Sequence, residues 1–256
     1  MIHTTEITSS EIVSDNPIHQ RLLFAYSEAA KLVEGNLLDI GCGEGRGLQY
    51  LRQNVSSYTG IDKIQEVLDV LKQKYPGDTF LQMNIPPFKG LADNSFDTAV
   101  SFQVIEHIEE DEAYVKEAHR VLKKNGHFIV STPNIKMSLT RNPWHVREYT
   151  KDSLKALLLK YFSSVECSGV YGDKEVMQYF EENKKGVQKF TRFDIFNLQY
   201  KLPRKWLEVP YNIANRMNRK KLMQKDNQLV NNINLSSFHL DKASDQCFDL
   251  FFIAKK

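Results

Sequence analysis

Leu37-Leu38-Asp39-Ile40-Gly41-Cys42-Gly43-Glu44-Gly45-Arg46-Gly47 decides how this chain is read. Leu37, Leu38 and Ile40 form a short apolar run suited to a strand buried on both faces, and glycines then stand at every second position from Gly41 to Gly47. Without a Cβ, such a backbone turns sharply and lets a ligand come close. The stretch predicts a small-molecule site at the end of a strand.

Spacing narrows the ligand. A dinucleotide fingerprint places glycines at first, third and sixth positions, but the sixth counted from Gly41 is Arg46. No Lys-Ser or Lys-Thr follows the turn, so a phosphate-cradling loop is excluded as well. What remains is an acid, Asp39, two residues before Gly41-Cys42-Gly43-Glu44-Gly45. This resembles the first motif of the class I S-adenosylmethionine-dependent methyltransferases. The resemblance implies an α/β, Rossmann-like fold: a seven-stranded, mostly parallel sheet with helices on both faces and the last strand antiparallel. It also implies S-adenosyl-L-methionine as cofactor, S-adenosyl-L-homocysteine as product, and Asp39, Gly41, Cys42, Gly43 and Gly45 in the cofactor site. A glycine turn without a ligand is the plain alternative, and the flanking chain weighs against it.

With 256 residues the chain can bury one substantial core, or one core and an accessory piece. No apolar run approaches bilayer length and the first residues lack a basic-then-apolar signal, so a cytoplasmic location is expected. Cys42, Cys167 and Cys247 are isolated and odd in number, which argues against a disulfide framework or a Cys-x-x-Cys metal site. The net charge of +2 conceals an asymmetry. Between Lys184 and Lys225 twelve Lys or Arg face only Asp194 and Glu208, leaving 22 basic and 30 acidic residues elsewhere.

Residues 1–16 are polar and unpatterned and read as a flexible arm. Asn16-Pro17 reads as a helix start, and Ile18, Leu22, Tyr26, Ala29, Ala30 and Val33 follow at helical spacing. By resemblance a leading helix of this kind covers the cofactor and brings His19, Gln20, Arg21 or Tyr26 near its methionine end; otherwise it only packs on the sheet. Beyond the glycines, Arg46 to Gln53 predicts a crossover helix and Tyr58 to Ile61 a second strand ending on Asp62. An acid about 20 residues after the glycines is placed to accept hydrogen bonds from both ribose hydroxyls, with Lys63 beside it. Ile64, Val67, Leu68 and Leu71 predict an amphipathic helix, and Thr79 to Met83 a third strand followed by Asn84-Ile85. At this point the family usually carries an Asp for the adenine amino group; the side-chain carbonyl of Asn84 can still accept that bond. Phe88 is expected in the adenine pocket.

Thr98 to Phe102 reads as the fourth strand, and the resemblance assigns the following Gln103 to the methionine part of the cofactor. Glu109 to Glu112 reads as the acidic first turn of a helix. His127 to Ser131 is the fifth strand, and Thr150 caps a helix carrying Leu154, Leu157, Leu158 and Tyr161. Ser164 to Tyr171 and Cys247 to Ala254 are the sixth and seventh strands, about 70 residues apart where the family has a hairpin. The domain reading is therefore a methyltransferase domain over 17–171 and 241–256, with a basic helical cap inserted at 172–240. Val187, Phe190, Phe193, Phe196 and Tyr200, then Trp206, Leu207, Ile213 and Met217, suggest two cap helices, and their aromatic content predicts that they pack.

Moving methyl from a sulfonium is an in-line displacement that needs no covalent enzyme intermediate; a general base helps when the acceptor is a hydroxyl or protonated amine. His107 and His145 are the candidate bases, both on loops at strand C-termini, with Glu148 near His145. Thr132-Pro133-Asn134 and the loop from Asn142 to Thr150 resemble the quinone, sugar and secondary-metabolite branch. The expected partner is thus a small-molecule acceptor methylated at oxygen or nitrogen, with an anionic substrate or a membrane surface as a further partner of the basic cap. Gln103-x-x-Glu106-His107 also resembles the Glu-x-x-Glu-His of metal-dependent RNA 3′-end methyltransferases, but Gln103 replaces the first carboxylate. No metal is therefore expected, and RNA 2′-O-methylation remains the lesser alternative. A cofactor-binding protein acting only by association with anionic partners is the other. The sequence leaves the acceptor and the oligomeric state open.

Overall fold

The computed structural model describes residues 12–192, 194 and 197–256. Most of the arm, together with Phe193, Phe196 and the side chain of Phe190 from the aromatic series, lies outside the described residues.

The motif strand β1 (Asn36–Ile40) is central, and its Leu37, Leu38 and Ile40 are fully buried. It pairs in parallel with β2 (Ser57–Asp62) on one side and β4 (Phe96–Phe102) on the other. β3 (Thr79–Gln82) extends the sheet beyond β2, and β5 (Leu122–Pro133) beyond β4, again in parallel. Strand order therefore reverses between β1 and β4, which opens a crevice beyond their C-terminal ends. Alternate residues serve the two faces. Leu37 packs with Phe24, Tyr26 and Phe102, whereas Leu38 and Ile40 pack with Tyr114, Phe128 and Leu154.

The far half of the sheet departs from the expected count. β8 (Asp249–Lys255) runs antiparallel to both β5 and β6 (Ser164–Gly172), as the family pattern requires. The sheet has eight strands rather than seven, because β7 (Phe238–Lys242) adds antiparallel to β6, with Phe238 opposite Gly172 and Leu240 opposite Val170. The inserted chain thus returns along the open edge of β6 and satisfies backbone groups that would otherwise face solvent.

Helix α1 (Asn16–Ala29) begins one residue from the predicted cap. Asp15 stands at the cap, and the Asn16 amide instead donates to the carbonyls of Val230 and Ile233, each at 2.8 Å. The crossover after the glycines is shorter than predicted: α2 (Leu48–Leu51) gives way to a 3-10 turn. α3 (Gln65–Lys74) and α4 (Asp111–Val121) follow their patterns. α5 (Lys151–Leu158) carries a reciprocal capping box between Thr150 and Ser153.

The insertion contributes α6 (Lys174–Thr191), α7 (Leu198–Lys201), α8 (Arg204–Lys225) and α9 (Asn227–Asn232). α6 meets α8 where Gly186 lies against Asn218, so closely that an added Cβ would stand 2.0 Å from the Asn218 Oδ1. Asp15, fully buried, accepts from Arg216 at 3.2 Å and Arg219 at 2.9 Å and so ties the start of the described chain to α8. Of the four apolar residues expected to pack on this helix, Leu207 is half-buried but the other three are not covered. Trp206, Ile213 and Met217 are exposed, and α8 buries Asn218 and Leu222 instead. Among the described residues, no helix is long and apolar enough to cross a membrane.

Candidate active site

The glycine turn forms one wall of a cavity of about 340 Å³ at the β1/β4 crevice. Gly41 and Cys42 both donate to the Ile61 carbonyl, at 2.8 and 3.1 Å, which anchors the turn to β2. Gly41 has φ +76° and a Cβ there would lie 2.4 Å from Val104 Cγ2, so no other residue fits. Gly43, at φ +51°, has open space where its Cβ would stand. Asp62 closes the turn: its Oδ2 accepts the Gly43 amide hydrogen at 2.9 Å and its Oδ1 that of Ile64 at 3.0 Å. Each carboxylate oxygen has further acceptor capacity, and Asp62 lines the cavity.

Cys42, Lys63, Asn84, Ile85, Gln103 and His107 line the same cavity, so the structure brings most of the sequence-derived set together. Asp39 and Gly45 stand elsewhere. Asp39 is buried beneath the turn and accepts from the Tyr58 hydroxyl at 2.7 Å. Burial pushes its carboxyl up to about 7 against the opposing effect of that bond, and its Oδ1 has no hydrogen-bond partner among the described residues. Gly45 packs toward Leu71. Phe88 is also displaced from its expected place: it is fully buried in the opposite core, edge-on to Tyr114.

Sequence reasoning had no signal for Val104 or Ile108 in this lining and named Arg46 as a spacing misfit and the start of a crossover helix, not as a site residue. Tyr26, from α1, packs edge-on to Phe102 at 4.6 Å, and burial raises its phenol well above the usual value. The donor set suits an adenosyl group bearing an amino acid. Asp62 offers acceptors to a diol, Asn84 offers an amide to a heterocycle edge, and a glycine wall permits close approach.

A second cavity of about 270 Å³ shares Leu22, Gln103 and His107 with the first. His145 lies here and not in the first cavity. Its Nδ1 is 2.7 Å from Glu148 Oε1 and its Nε2 2.8 Å from the Asn142 amide nitrogen. His107 Nδ1 lies 2.9 Å from the Trp144 carbonyl oxygen, and the two imidazoles meet edge-on at 5.1 Å. Beneath them Glu106 is fully buried; its Oε2 accepts from Thr132 at 2.9 Å, and its Oε1 has no hydrogen-bond partner among the described residues. Burial pushes this carboxyl up to about 7, with the charge of His145 opposing. Glu106, His107 and His145 each offer one ligand atom within 4.8 Å of the others, the one such group among the described residues.

Gln103 sits between the cavities with φ +59°, its amide donating to the Ser131 carbonyl at 2.9 Å. Its side chain and Arg21, whose Nε is 3.1 Å from Asp249 Oδ2, oppose the rise that burial imposes on the Asp249 carboxyl. The insertion supplies Tyr179, Tyr211, Asn215 and Arg219 to the second cavity. No motif marked these four in the sequence.

Residues 38–130 match the family model described as a methyltransferase domain. Over 175 residues the chain is 33% identical to a protein of Mycobacterium tuberculosis described as a probable S-adenosylmethionine-dependent methyltransferase, covering 66% of this chain and 64% of the relative. The chain thus spans less than two thirds of that relative's length. It is 24% identical to a ubiquinone biosynthesis O-methyltransferase of Vibrio cholerae over 46% of this chain and 51% of that one. Among solved structures, a methyltransferase from Thermotoga maritima superposes with TM-score 0.58 at 16% identity, over 93% of this chain and 91% of that one. The [4+2]-cyclase SpnF superposes with TM-score 0.55 at 18% identity, over 93% and 81%. At such identities the superpositions establish the fold alone, and the cyclase illustrates that one fold hosts more than one reaction.

Proposed function

We infer that the chain is a class I S-adenosylmethionine-dependent methyltransferase and that it moves a methyl group to an oxygen or nitrogen of a small molecule held in the second cavity. The observation that carries this reading is the adjoining pair of cavities, one walled by the glycine turn and Asp62, the other reaching the His145–Glu148 pair. The first cavity would hold S-adenosyl-L-methionine, which would supply an electrophilic methyl on a sulfonium with a neutral thioether as leaving group.

The residues have separate tasks. Asp62 accepts from the ribose hydroxyls, Asn84 and Ile85 bound the adenine, and Gln103, with Gly41, Cys42, Gly43 and Lys63, frames the rest of the cofactor. Glu148 accepts the Nδ1 proton of His145, so the Nε2 lone pair accepts from the Asn142 amide at 2.8 Å, a bond the acceptor must displace before Nε2 takes its proton. His107 donates from Nδ1 to the Trp144 carbonyl, which fixes its ring edge-on beside that of His145. A base of this kind adds about 10² to 10⁴ in rate, on top of what holding the two reactants in line supplies. Residues 172–240 act as the cap that completes the acceptor cavity, and its positive charge gives it an anionic acceptor or a membrane surface as partner.

Incubation with methyl-labelled cofactor and a metabolite extract tests the reading. Label in a product extracted without protein supports it; cofactor binding with no transfer to any extract component counts against it.

A further inference from the structure

Helix α8 carries two unlike faces. Tyr211, Asn215 and Arg219 point inward and line the acceptor cavity. On the outer side Trp206, Val209, Ile213 and Met217 are 70, 65, 55 and 46% exposed. Their spacing of three, four and four residues draws one stripe along the helix. A helical protein surface seldom leaves a Trp, a Val, an Ile and a Met uncovered in a row, since each is ordinarily worth burying. Tyr200 and Leu198, on α7, which precedes it in the chain, are exposed as well.

The charge around the stripe says what covers it. α8 holds seven Lys or Arg against Glu208 alone. At 100° per residue, Lys205 and Lys220 fall within about a quarter turn of the Trp206–Met217 line, and both are exposed. An apolar stripe with an indole near one end and cations along its margins matches the water–bilayer boundary, where acyl chains take the apolar side chains and anionic headgroups take the lysines. A second copy of the chain would bring the same cations against one another, which disfavours a symmetric dimer through this face.

We propose that the outer face of α8 seats the protein on an anionic lipid surface. The proposal rests on the functional reading above for its consequence: the helix that touches lipid is the one whose other face walls the acceptor cavity, so the acceptor class is an amphipathic molecule drawn from that surface. The seating itself stands on the exposed stripe and its lysines.

Sedimentation of the full chain with phosphatidylcholine vesicles, with and without phosphatidylglycerol, tests it. Binding should require the anionic lipid and fade as salt rises. Trp206→Ser with Ile213→Asp should abolish it, and Lys205→Gln and Lys220→Gln should each weaken it about fivefold. Calorimetry with S-adenosyl-L-homocysteine should give the same affinity for these variants as for the unaltered chain, which separates loss of seating from loss of the cofactor site. Absence of binding to phosphatidylglycerol vesicles, or equal binding by the Trp206→Ser/Ile213→Asp variant, overturns the proposal. So does a dimer in light scattering that Ile213→Asp converts to monomer, since the stripe would then be a protein interface.

Discussion

The Asp62 carboxylate takes the Gly43 amide hydrogen at 2.9 Å, so the acid that ends β2 and the glycine that crowns the motif turn form one unit. A ribose diol meeting Asp62 meets an acceptor whose position the turn has already set. Preorganisation of this kind lowers the cost of binding.

Replacing Asp62 with Ala removes that lock together with the acceptors offered to the ligand. Charged hydrogen bonds contribute about 1.5–3 kcal/mol each, so affinity for S-adenosyl-L-homocysteine should fall about 10²-fold or more by calorimetry. An unchanged affinity would remove Asp62 from the site.

Gly41→Ala meets two obstacles, the left-handed backbone and the Val104 side chain 2.4 Å from the new Cβ. The first costs about 1–2 kcal/mol and the second, as overpacking, about 1–3. Denaturant unfolding should show both for the single variant, while Gly41→Ala with Val104→Ala should recover only the second part.

Much of this was legible in the chain. β1 and its glycines announced themselves because a doubly buried strand and a close-approach turn each leave a local signature, and Asp62 followed from its distance to them. β7 was missed because five residues, with Phe238 and Leu240 alternating with polar ones, give too short a pattern to separate from the end of a cap. The outward stripe of α8 was misread for a different reason. Spacing says that Trp206, Ile213 and Met217 share a face, but not whether protein covers it. Asp39 has the motif's acid in the motif's place, yet the Tyr58 hydroxyl holds it beneath the turn, a contact 19 residues away in sequence. The burial of Glu106 depends likewise on Thr132 and on a carbonyl bond from the Val146 amide, both remote in the chain.

Glu106 should make stability depend on pH. Its folded carboxyl titrates at about 7, above the ordinary 4.5, so between these values the native state holds a proton that the unfolded chain has released. Stability therefore falls as pH rises through that window and stays lowered above it, by roughly 3 kcal/mol at most. Glu106→Gln stays neutral and keeps an oxygen for Thr132. Its melting temperature should exceed that of the unaltered chain at pH 8, with the advantage shrinking toward pH 5. A constant difference across this range would refute the raised carboxyl.

His145 lies in the second cavity alone, so its loss should separate catalysis from cofactor binding. His145→Ala is expected to lower kcat about 10²- to 10⁴-fold on an acceptor identified by labelling, with unchanged affinity for S-adenosyl-L-homocysteine. Glu148→Gln, which weakens the partner of Nδ1, should lower kcat less and shift the acid limb of the pH profile. Equal turnover by all three proteins would assign the base elsewhere.

The cluster of Glu106, His107 and His145 invites a chelator test. As a proton-handling set it should sustain full methyl transfer after EDTA treatment and dialysis. Loss of transfer, restored by a divalent cation, would make the same three side chains a metal site instead.

The central claim is that the glycine turn, locked by Asp62, holds an adenosyl sulfonium. Titration calorimetry with S-adenosyl-L-methionine and its thioether product asks this directly. The account predicts saturable binding of both at one site per chain, lost in the Asp62→Ala variant. No heat with either, alongside tight binding of a nicotinamide dinucleotide or a purine triphosphate, would contradict it.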